Sequence, residues 1–377
     1  MGSFSIGSVF GVEIRIDYSW FIIFFLILWS FTAGVFPASF PGLSPTTYLV
    51  MGVVGTLLFF ASLLAHELSH ALTARARGIE VEGITLFIFG GMARTKSESR
   101  TPGEEFLIAG VGPLSSLVIA LLLAAVWRWG DDVGLPLPVT GVAAYLAFLN
   151  FILAVFNLLP GFPLDGGRLF RAAAWKATGD LTRATRWAST AGKILGYLLI
   201  AWGIYSFFSG EALGGLWMVF IGWFLRSAAV MAMRQHLLQE AMTGVRAGEA
   251  MTPHPETVPP HLSLRHLVDE RFMHRHFRAY PVEEGGRTLG IISLRQLEAV
   301  PREAWDSTAV SEAMVPIQDV PQVGPEDTVD VVLKALRGFP DQRALVMEDG
   351  RLVGIISPGD LATWMEQVRK IRELEAS

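Results

Sequence analysis

The sequence predicts a multi-span α-helical membrane domain followed by a smaller soluble α/β domain. Of its 377 residues 51% are hydrophobic and only 17% are charged, which is more apolar than an ordinary soluble protein. The charges are also unevenly placed. Residues 1–243 carry 15 Lys and Arg against 14 Asp and Glu among long apolar runs, whereas residues 244–377 carry 15 against 21 in a mixed sequence. We therefore expect a membrane domain at 1–238, a soluble domain at 245–365 and a helical tail at 366–377.

Six apolar stretches are long enough to cross a hydrocarbon layer of ~30 Å. They lie near 18–37, 47–74, 104–127, 139–160, 187–208 and 213–235. The loops at 75–103 and 161–186 carry ten Lys and Arg residues together, whereas the opposite loops carry Arg128 alone. Basic loops face the cytoplasm. The pattern predicts a multi-pass protein of the cell membrane whose N- and C-termini are both cytoplasmic.

Composition also excludes several classes of function. The chain has no cysteine, so disulfides, thiolate metal ligands and a cysteine nucleophile are excluded. The N-terminal "MGSFSIGSVFGVEIRID" lacks the pattern of a signal peptide. No strongly basic patch indicates a nucleic-acid partner, so the expected partners are the lipid bilayer and other proteins.

The second apolar stretch ends in "AHELSH", residues 65–70, where ionisable side chains are costly unless they have a function. On a helix, His66 and His70 lie on one face, about 40° apart. Two imidazoles at this spacing can bind one Zn²⁺ ion, and Glu67 lies beside the open position as a general base. The alternative is a helix end whose polar residues reach the lipid headgroups.

A third ligand is expected from "FNLLPGFPLDGGRLFRA", residues 156–172. Prolines before Asp165 and glycines after it break the chain where the fourth span should end, and broken backbone at this depth is tolerated when it lines a cavity. We expect Asp165 to complete the metal site, although "LDGGR" alone is also typical of a turn. The amide of Asn157 is a candidate for stabilising an oxyanion, or for a hydrogen bond between helices.

These two motifs together resemble the site-2 protease family of intramembrane zinc metalloproteases, and "GITLFIFGGMA" (83–93) and "EFLIAGVGPLSSLVIA" (105–120) match it as well. The resemblance covers nearly all of residues 1–235. It implies one zinc ion bound by His66, His70 and Asp165, Glu67 as the general base, and cleavage of a membrane-spanning substrate protein near its cytosolic end. It also favours an active-site role for Asn157.

The segment "VEGITLFIFGG" is rich in β-branched and aromatic residues and ends in Gly90-Gly91. It predicts a β-hairpin beside the zinc. Such a strand can hold an unwound substrate by β-addition; the alternative is a hairpin without substrate contact.

The soluble part contains an internal repeat. "GEAM" (248–251) recurs as "SEAM" (311–314), and "LGIISLRQL" (289–297) recurs as "VGIISPGDL" (353–361). Each unit is predicted as strand, helix, two strands, helix. The units, 245–300 and 309–365, resemble CBS domains, which pair, often dimerise and often bind adenine nucleotides. The resemblance implies a regulatory module and a homodimer formed through it.

In nucleotide-binding CBS pairs, a Ser or Thr and an Asp three residues later hold phosphate and ribose. Ser357 and Asp360 occupy these positions in the second repeat, whereas the first has Gln296 in place of the Asp. We therefore expect at most one competent site per chain. The alternative is a module that only dimerises or docks the substrate.

A second function remains open at this point, namely a metal transporter or membrane regulator with a CBS module. The broken helix at 160–167 would suit a transport site as well. Glu67 favours the protease, because hydrolysis needs a base that is not a ligand.

Overall fold

The computed structural model describes residues 2–95, 99–242, 244–275 and 277–375. The chain divides into two compact units, Met1–His236 and Leu237–Ser377. The first holds six helices long and apolar enough to cross a membrane, so the prediction of a multi-span helical protein is confirmed.

In the part of the chain that the structure describes, seven helices begin in the membrane unit. They are α1 (Ser19–Ser39), α2 (Pro45–Ala76), α3 (Pro102–Gly130), α4 (Leu137–Asn157), α5 (Asp165–Thr178), α6 (Leu181–Phe208) and α7 (Ala212–Met242). All but α5 are candidate spans, and α1 is π-helical at Ser30–Val35.

Capping residues set where several of these helices begin. Ser44 caps α2 by accepting from the Thr47 amide, and Thr101 caps α3 by accepting from Glu104; a proline follows each cap. Asp180 caps α6, which therefore begins six residues before the predicted start at 187. In contrast, α4 ends three residues before the predicted 160, because the chain turns at Leu158.

A four-stranded sheet packs beside these helices in the order β1 (Ser3–Val9), β2 (Val12–Asp17), β3 (Val81–Phe87), β4 (Gly90–Thr95). The hairpin predicted from "VEGITLFIFGG" is β3–β4. The parallel pairing of β2 with β3, which completes the sheet, was not predicted. Leu68 and Ala71 of α2 pack against Val12, Ile14 and Ile84, which fixes the sheet against the histidine-bearing helix.

The soluble unit contains short helices and two small sheets. The helices are α8 (Ala247–Ala250), α9 (Leu264–Leu267), α10 (Leu294–Glu298), α11 (Val310–Ala313), α12 (Val329–Arg337) and α13 (Pro358–Glu375). The strands are β5 (Thr252–Pro253), β6 (Ala279–Glu284), β7 (Arg287–Ser293), β8 (Val315–Pro316), β9 (Gln322–Val323), β10 (Ala344–Glu348) and β11 (Arg351–Ile356). Two apolar cores are built mainly from one repeat each, with residues from the first segment of the other. The tail predicted at 366–377 continues α13 as far as Glu375; its last two residues lie outside the described part.

The two repeats exchange their first strands. One sheet has the order β5-β11-β10-β9 and the other β6-β7-β8, so β5 of the first repeat joins the second, and β8 of the second joins the first. Each exchanged strand pairs with the glycine of the repeated "GIIS" in the other repeat. A Cβ on Gly290 would lie 2.1 Å from the Val315 carbonyl oxygen, and one on Gly354 would lie 2.2 Å from the Met251 sulfur.

Candidate active site

The predicted metal ligands His66, His70 and Asp165 lie together inside the membrane unit, although about a hundred residues separate the aspartate from the histidines. The two imidazoles come from one face of α2, and Asp165 is the first residue of α5. All three are buried, with exposures of 2%, 6% and 9%. Helical spacing brings the histidines together, and the turn before α5 brings the carboxylate to them.

The turn between α4 and α5 explains the glycines around Asp165. A Cβ on Gly166 would lie 2.2 Å from the Leu158 carbonyl oxygen, and one on Gly167 would lie 2.3 Å from the Gly161 carbonyl carbon. Only glycine allows this approach. The first turn of α5 therefore packs onto the preceding loop, and Asp165 lies at a helix N-terminus, where negative charge is favoured.

The three donor atoms fit a single metal ion. His66 Nε2 and His70 Nε2 each lie 3.1 Å from Asp165 Oδ2 and 3.3 Å from each other. Ligands at about 2.0 Å in a tetrahedral zinc site are separated by about 3.3 Å. The donor set of two imidazoles and one carboxylate, with a fourth position open, is that of a catalytic zinc site.

Helix α3 orients both imidazoles from behind. His70 Nδ1 donates to the Ile108 carbonyl oxygen at 2.6 Å, and His66 Nδ1 lies 2.9 Å from the Ser116 hydroxyl oxygen. Because a carbonyl only accepts, the His70 proton is on Nδ1 and its Nε2 lone pair faces Asp165. Two hydrogen-bond acceptors that face each other in a buried site require a cation or a proton between them. Metal-binding histidines commonly donate their other ring N–H to an outer partner of this kind.

Gly112 of α3 leaves the space that this site requires. A Cβ there would lie 2.1 Å from His70 Nε2 and 2.7 Å from His66 Nε2. Any side chain at this position would occupy the space where the ligand atoms meet. The sequence analysis quoted this glycine only within the stretch 105–120 and assigned it no chemical role; a glycine within an otherwise apolar helix was the available signal.

Glu67 lies beside the donor group and is not part of it. Strand β4 passes directly over its side chain, because a Cβ on Gly91 would lie 2.4 Å from Glu67 Cγ and 3.1 Å from its Oε1. At the hairpin tip, Phe89 stacks on Phe224 of α7 with ring centroids 3.8 Å apart. These contacts hold the tip of the hairpin and the start of β4 beside Glu67.

Asn157 is not brought into the donor group. It is half-buried at the last residue of α4, and its amide nitrogen donates to the Leu153 carbonyl oxygen of the same helix at 3.0 Å. That hydrogen bond uses one of the two N–H groups of the amide.

A cavity of about 220 Å³ extends from His70 toward β4 and α5. Its polar lining includes the side chains of Arg168 and Arg171, which the sequence analysis had counted only as loop charges. His70 thus borders a partly polar space.

The soluble unit has a separate cleft of about 300 Å³ that contains Ser357 and Asp360. Asp360 Oδ1 accepts from the Thr252 hydroxyl at 2.7 Å, and Oδ2 accepts from the Ser357 amide at 2.8 Å and its hydroxyl at 2.6 Å. Two arginines, Arg278 and Arg343, which sequence analysis missed, also line the cleft. Burial lowers the pKa of the Arg343 guanidinium, an effect that nearby carboxylates oppose.

In the first repeat, Gln296 takes the place of Asp360 and is used differently. Its Oε1 accepts from the Ser293 amide at 2.9 Å, while its Nε2 donates to Asp341 Oδ2 at 3.1 Å. The two repeats therefore share the local turn and differ in the charge at its centre.

Comparison with protein families matches two models. The model described as Peptidase family M50 matches residues 54–130 and 136–200, and the model described as CBS domain matches 247–300 and 310–367. The first match includes every predicted ligand and Glu67, and the second includes both repeats.

Similar proteins extend these matches over almost the whole chain. Rip3 of Mycobacterium tuberculosis, which carries the name of a zinc metalloprotease, is 36% identical over 97% of this chain and 93% of its own length. A Synechocystis protein named in the same way is 34% identical over 94% of this chain and 93% of its own. The solved site-2 protease from Methanocaldococcus jannaschii aligns with 24% identity over 62% of this chain and 95% of its own, with a TM-score of 0.42.

Proposed function

The chain belongs to peptidase family M50 as an intramembrane zinc metalloprotease joined to CBS domains, and we propose that His66, His70 and Asp165 hold its zinc ion while Glu67 is its general base. One observation carries the assignment of these residues. Three buried donor atoms lie 3.1–3.3 Å apart, and the helix behind them orients their lone pairs toward one point. Membership of this family decides against the transporter considered above.

The chemistry follows from the positions of these residues. A zinc ion bound by the three side chains supplies an acidic water and polarises a peptide carbonyl. Glu67 takes a proton from the attacking water and returns it to the amide nitrogen that leaves. The scissile C–N bond is thereby replaced by a carboxyl group on one fragment and an amine on the other. Glu67 is free for this task because it is outside the donor group.

The substrate is a membrane-spanning protein, and we propose that β4 holds its unwound segment. The carbonyls of a helix are engaged in its own hydrogen bonds, so the scissile region must become extended before attack. In the sheet, β4 is the terminal strand and pairs on one side with β3. Because Gly91 of this strand lies against Glu67, a segment added to its outer edge would run beside the base. Asn157 would assist through the second N–H of its amide, while the first stays on the Leu153 carbonyl oxygen.

The test combines cleavage with metal content. Glu67→Gln should lower cleavage of a model membrane substrate by about 10³-fold or more while the protein keeps about one zinc ion per chain. His66→Ala, His70→Ala and Asp165→Asn should lose both activity and most of the metal. Glu211→Gln, an exposed glutamate in the α6–α7 loop, is the control and should change neither. Near wild-type cleavage by Glu67→Gln would refute the assignment of the base.

For the soluble unit, we propose that an adenine nucleotide binds the cleft around Asp360. Arg278 and Arg343 supply positive charge for phosphates, and Asp360 Oδ1, which accepts from Thr252 alone, has a lone pair for a ribose hydroxyl. The other oxygen, Oδ2, is already occupied by the amide and the hydroxyl of Ser357. Dimerisation through this unit is a further proposal, which the mass of the detergent-solubilised protein would test.

We also propose that both termini and the loop at 75–103 face the cytoplasm. The proposal is supported by ten basic residues in the two loops on that side against Arg128 on the other. Reporter fusions at residues 134 and 377 should give opposite signals. The same signal from both would contradict six spans with this orientation.

A further inference from the structure

A buried ion pair connects the helix that orients the histidines with the helix that carries the aspartate. Arg171 Nε of α5 donates to Glu105 Oε1 of α3 at 2.6 Å. The side chains are 11% and 1% exposed. The second carboxylate oxygen of Glu105 is also buried and has no hydrogen-bond partner in the described part of the chain.

Both ends of this ion pair are within reach of the metal donors. On α3, Glu105 lies one turn before Ile108, whose carbonyl accepts from His70, and two turns before Gly112, which packs against both imidazoles. On α5, Arg171 lies less than two turns after Asp165.

Arg171 also contacts the turn that places Asp165. Its guanidinium lies over the Phe162 ring, 5.2 Å from the ring centroid, and the Phe162 amide donates to the Ala188 carbonyl oxygen of α6. The same arginine is thus attached to the supporting helix on one side and to the turn before the ligand on the other.

We infer that Glu105 and Arg171 are positioning residues, which set the separation between Asp165 and the two histidines and so determine how tightly the site holds zinc. The inference rests on the proposed ligand role of those three residues. A charge pair is suited to this task because it is directional. Two guanidinium nitrogens of Arg171 meet Glu105 Oε1, which fixes the distance and the angle between the two helices, whereas apolar packing allows the helices to slide. A pair used only for stability could be replaced by apolar side chains without effect on the metal.

The experiment uses the full chain in detergent and three variants. In Glu105→Leu/Arg171→Met both charges are removed together, so no unpaired charge remains buried, and the melting temperature of the zinc-free variant should stay near that of the zinc-free wild type. Zinc release to a chelator should nevertheless become about 10–100-fold faster. Arg171→Lys keeps the charge but has one nitrogen in place of the two that meet Glu105 Oε1, and should accelerate zinc release less. Arg183→Met removes a 61% exposed arginine paired with Asp180 on α6 and should change nothing.

Cobalt substitution gives a readout independent of activity. The intensity of the visible absorption of bound Co²⁺ reports how close the site is to tetrahedral, and it should fall in the double variant and not in Arg183→Met. Wild-type zinc release and an unchanged cobalt spectrum in a normally folded double variant would overturn the inference. If the wild-type protein itself binds no zinc, the proposed ligand set fails instead, so the two failures are distinguishable.

Discussion

The metal donor group and the soluble-domain cleft differ in how far the protein satisfies its own polar atoms. In the membrane unit, α3 contacts the Nδ1 atoms of both imidazoles, and within the described residues the two Nε2 atoms lie against Asp165 Oδ2 and each other. In the cleft, Asp360 already accepts three hydrogen bonds from Thr252 and Ser357. We propose that an ion completes the first site, whereas the carboxylate of the second is already hydrogen-bonded within the protein.

This difference indicates which ligand belongs to the folded state. Buried acceptors that face each other repel unless a cation lies between them, so zinc should contribute to the stability of the membrane unit. A nucleotide adds contacts to a cleft that is already folded, so its effect should depend on its concentration. The predictions below test this contrast, beginning with the largest expected effect.

Gly112→Ala should remove zinc and lower cleavage by about 100-fold or more, because the new methyl group would lie 2.1 Å from His70 Nε2. Gly110→Ala is the matched control. It lies two residues earlier on the same helix, and its Cβ would only touch the Leu169 Cδ2 atom at 3.8 Å. The zinc content and the cleavage rate of both variants are measured. Equal zinc content in the two proteins would show that Gly112 does not border the metal.

Gly91→Ala should lower cleavage by about 10-fold or more and leave the zinc content unchanged. The added methyl group would push β4 or the Glu67 side chain away, since it would lie 2.4 Å from Glu67 Cγ, while none of the three ligands is displaced. Met92→Ala, an exposed neighbour on the same strand, is the control. Loss of zinc in Gly91→Ala would mean that the hairpin supports the ligands rather than the base.

Removal of zinc with a chelator should lower the melting temperature of the membrane unit by several degrees, and added zinc should restore it. The reason is that binding to the folded state adds RT ln(1 + [L]/Kd), which exceeds about 4 kcal/mol when zinc is a thousand times its Kd. Asp165→Asn should already melt like the chelated protein and respond little to either treatment. A wild-type melting temperature that does not change with the chelator would contradict a contribution of zinc to the stability of the membrane unit.

ATP or AMP should give the smallest effect, raising the melting temperature of the soluble unit by about 4 °C at ten times its Kd. Asp360→Ala should abolish this shift, whereas Gln296→Ala, at the equivalent position of the first repeat, should keep it. Calorimetry on the full chain provides the second measurement. No heat and no shift at millimolar nucleotide would leave the cleft with a structural role.

The sequence predicted the parts of the active site that have a chemical signature. His66, Glu67 and His70 are recognisable by spacing on one helix, and Asp165 by the prolines and glycines that break the chain around it. The residues of α3 that support these side chains have no such signature in the sequence. Ile108 acts through a backbone carbonyl that any residue would provide, and Gly112 acts through the absence of a side chain.

The same limit applies to the fold. Spans are predictable because length and hydropathy are local properties, and the repeat was visible because "GIIS" occurs twice. The parallel pairing of β2 with β3 and the exchange of β5 and β8 between repeats were not predicted, since both depend on contacts between segments distant in sequence. The partners of Asp360 were missed for that reason, as Thr252 lies on the exchanged strand.

X-ray absorption at the zinc edge, on the full chain loaded with one zinc ion, tests the central claim most directly. We predict two imidazole nitrogens and oxygen ligands at about 2.0–2.1 Å, with no sulfur. His70→Ala should lose most of the zinc, and any that remains should show a single imidazole. A shell of more than two imidazoles, or one that is unchanged in His70→Ala, would place the metal elsewhere in the chain and contradict the proposed centre.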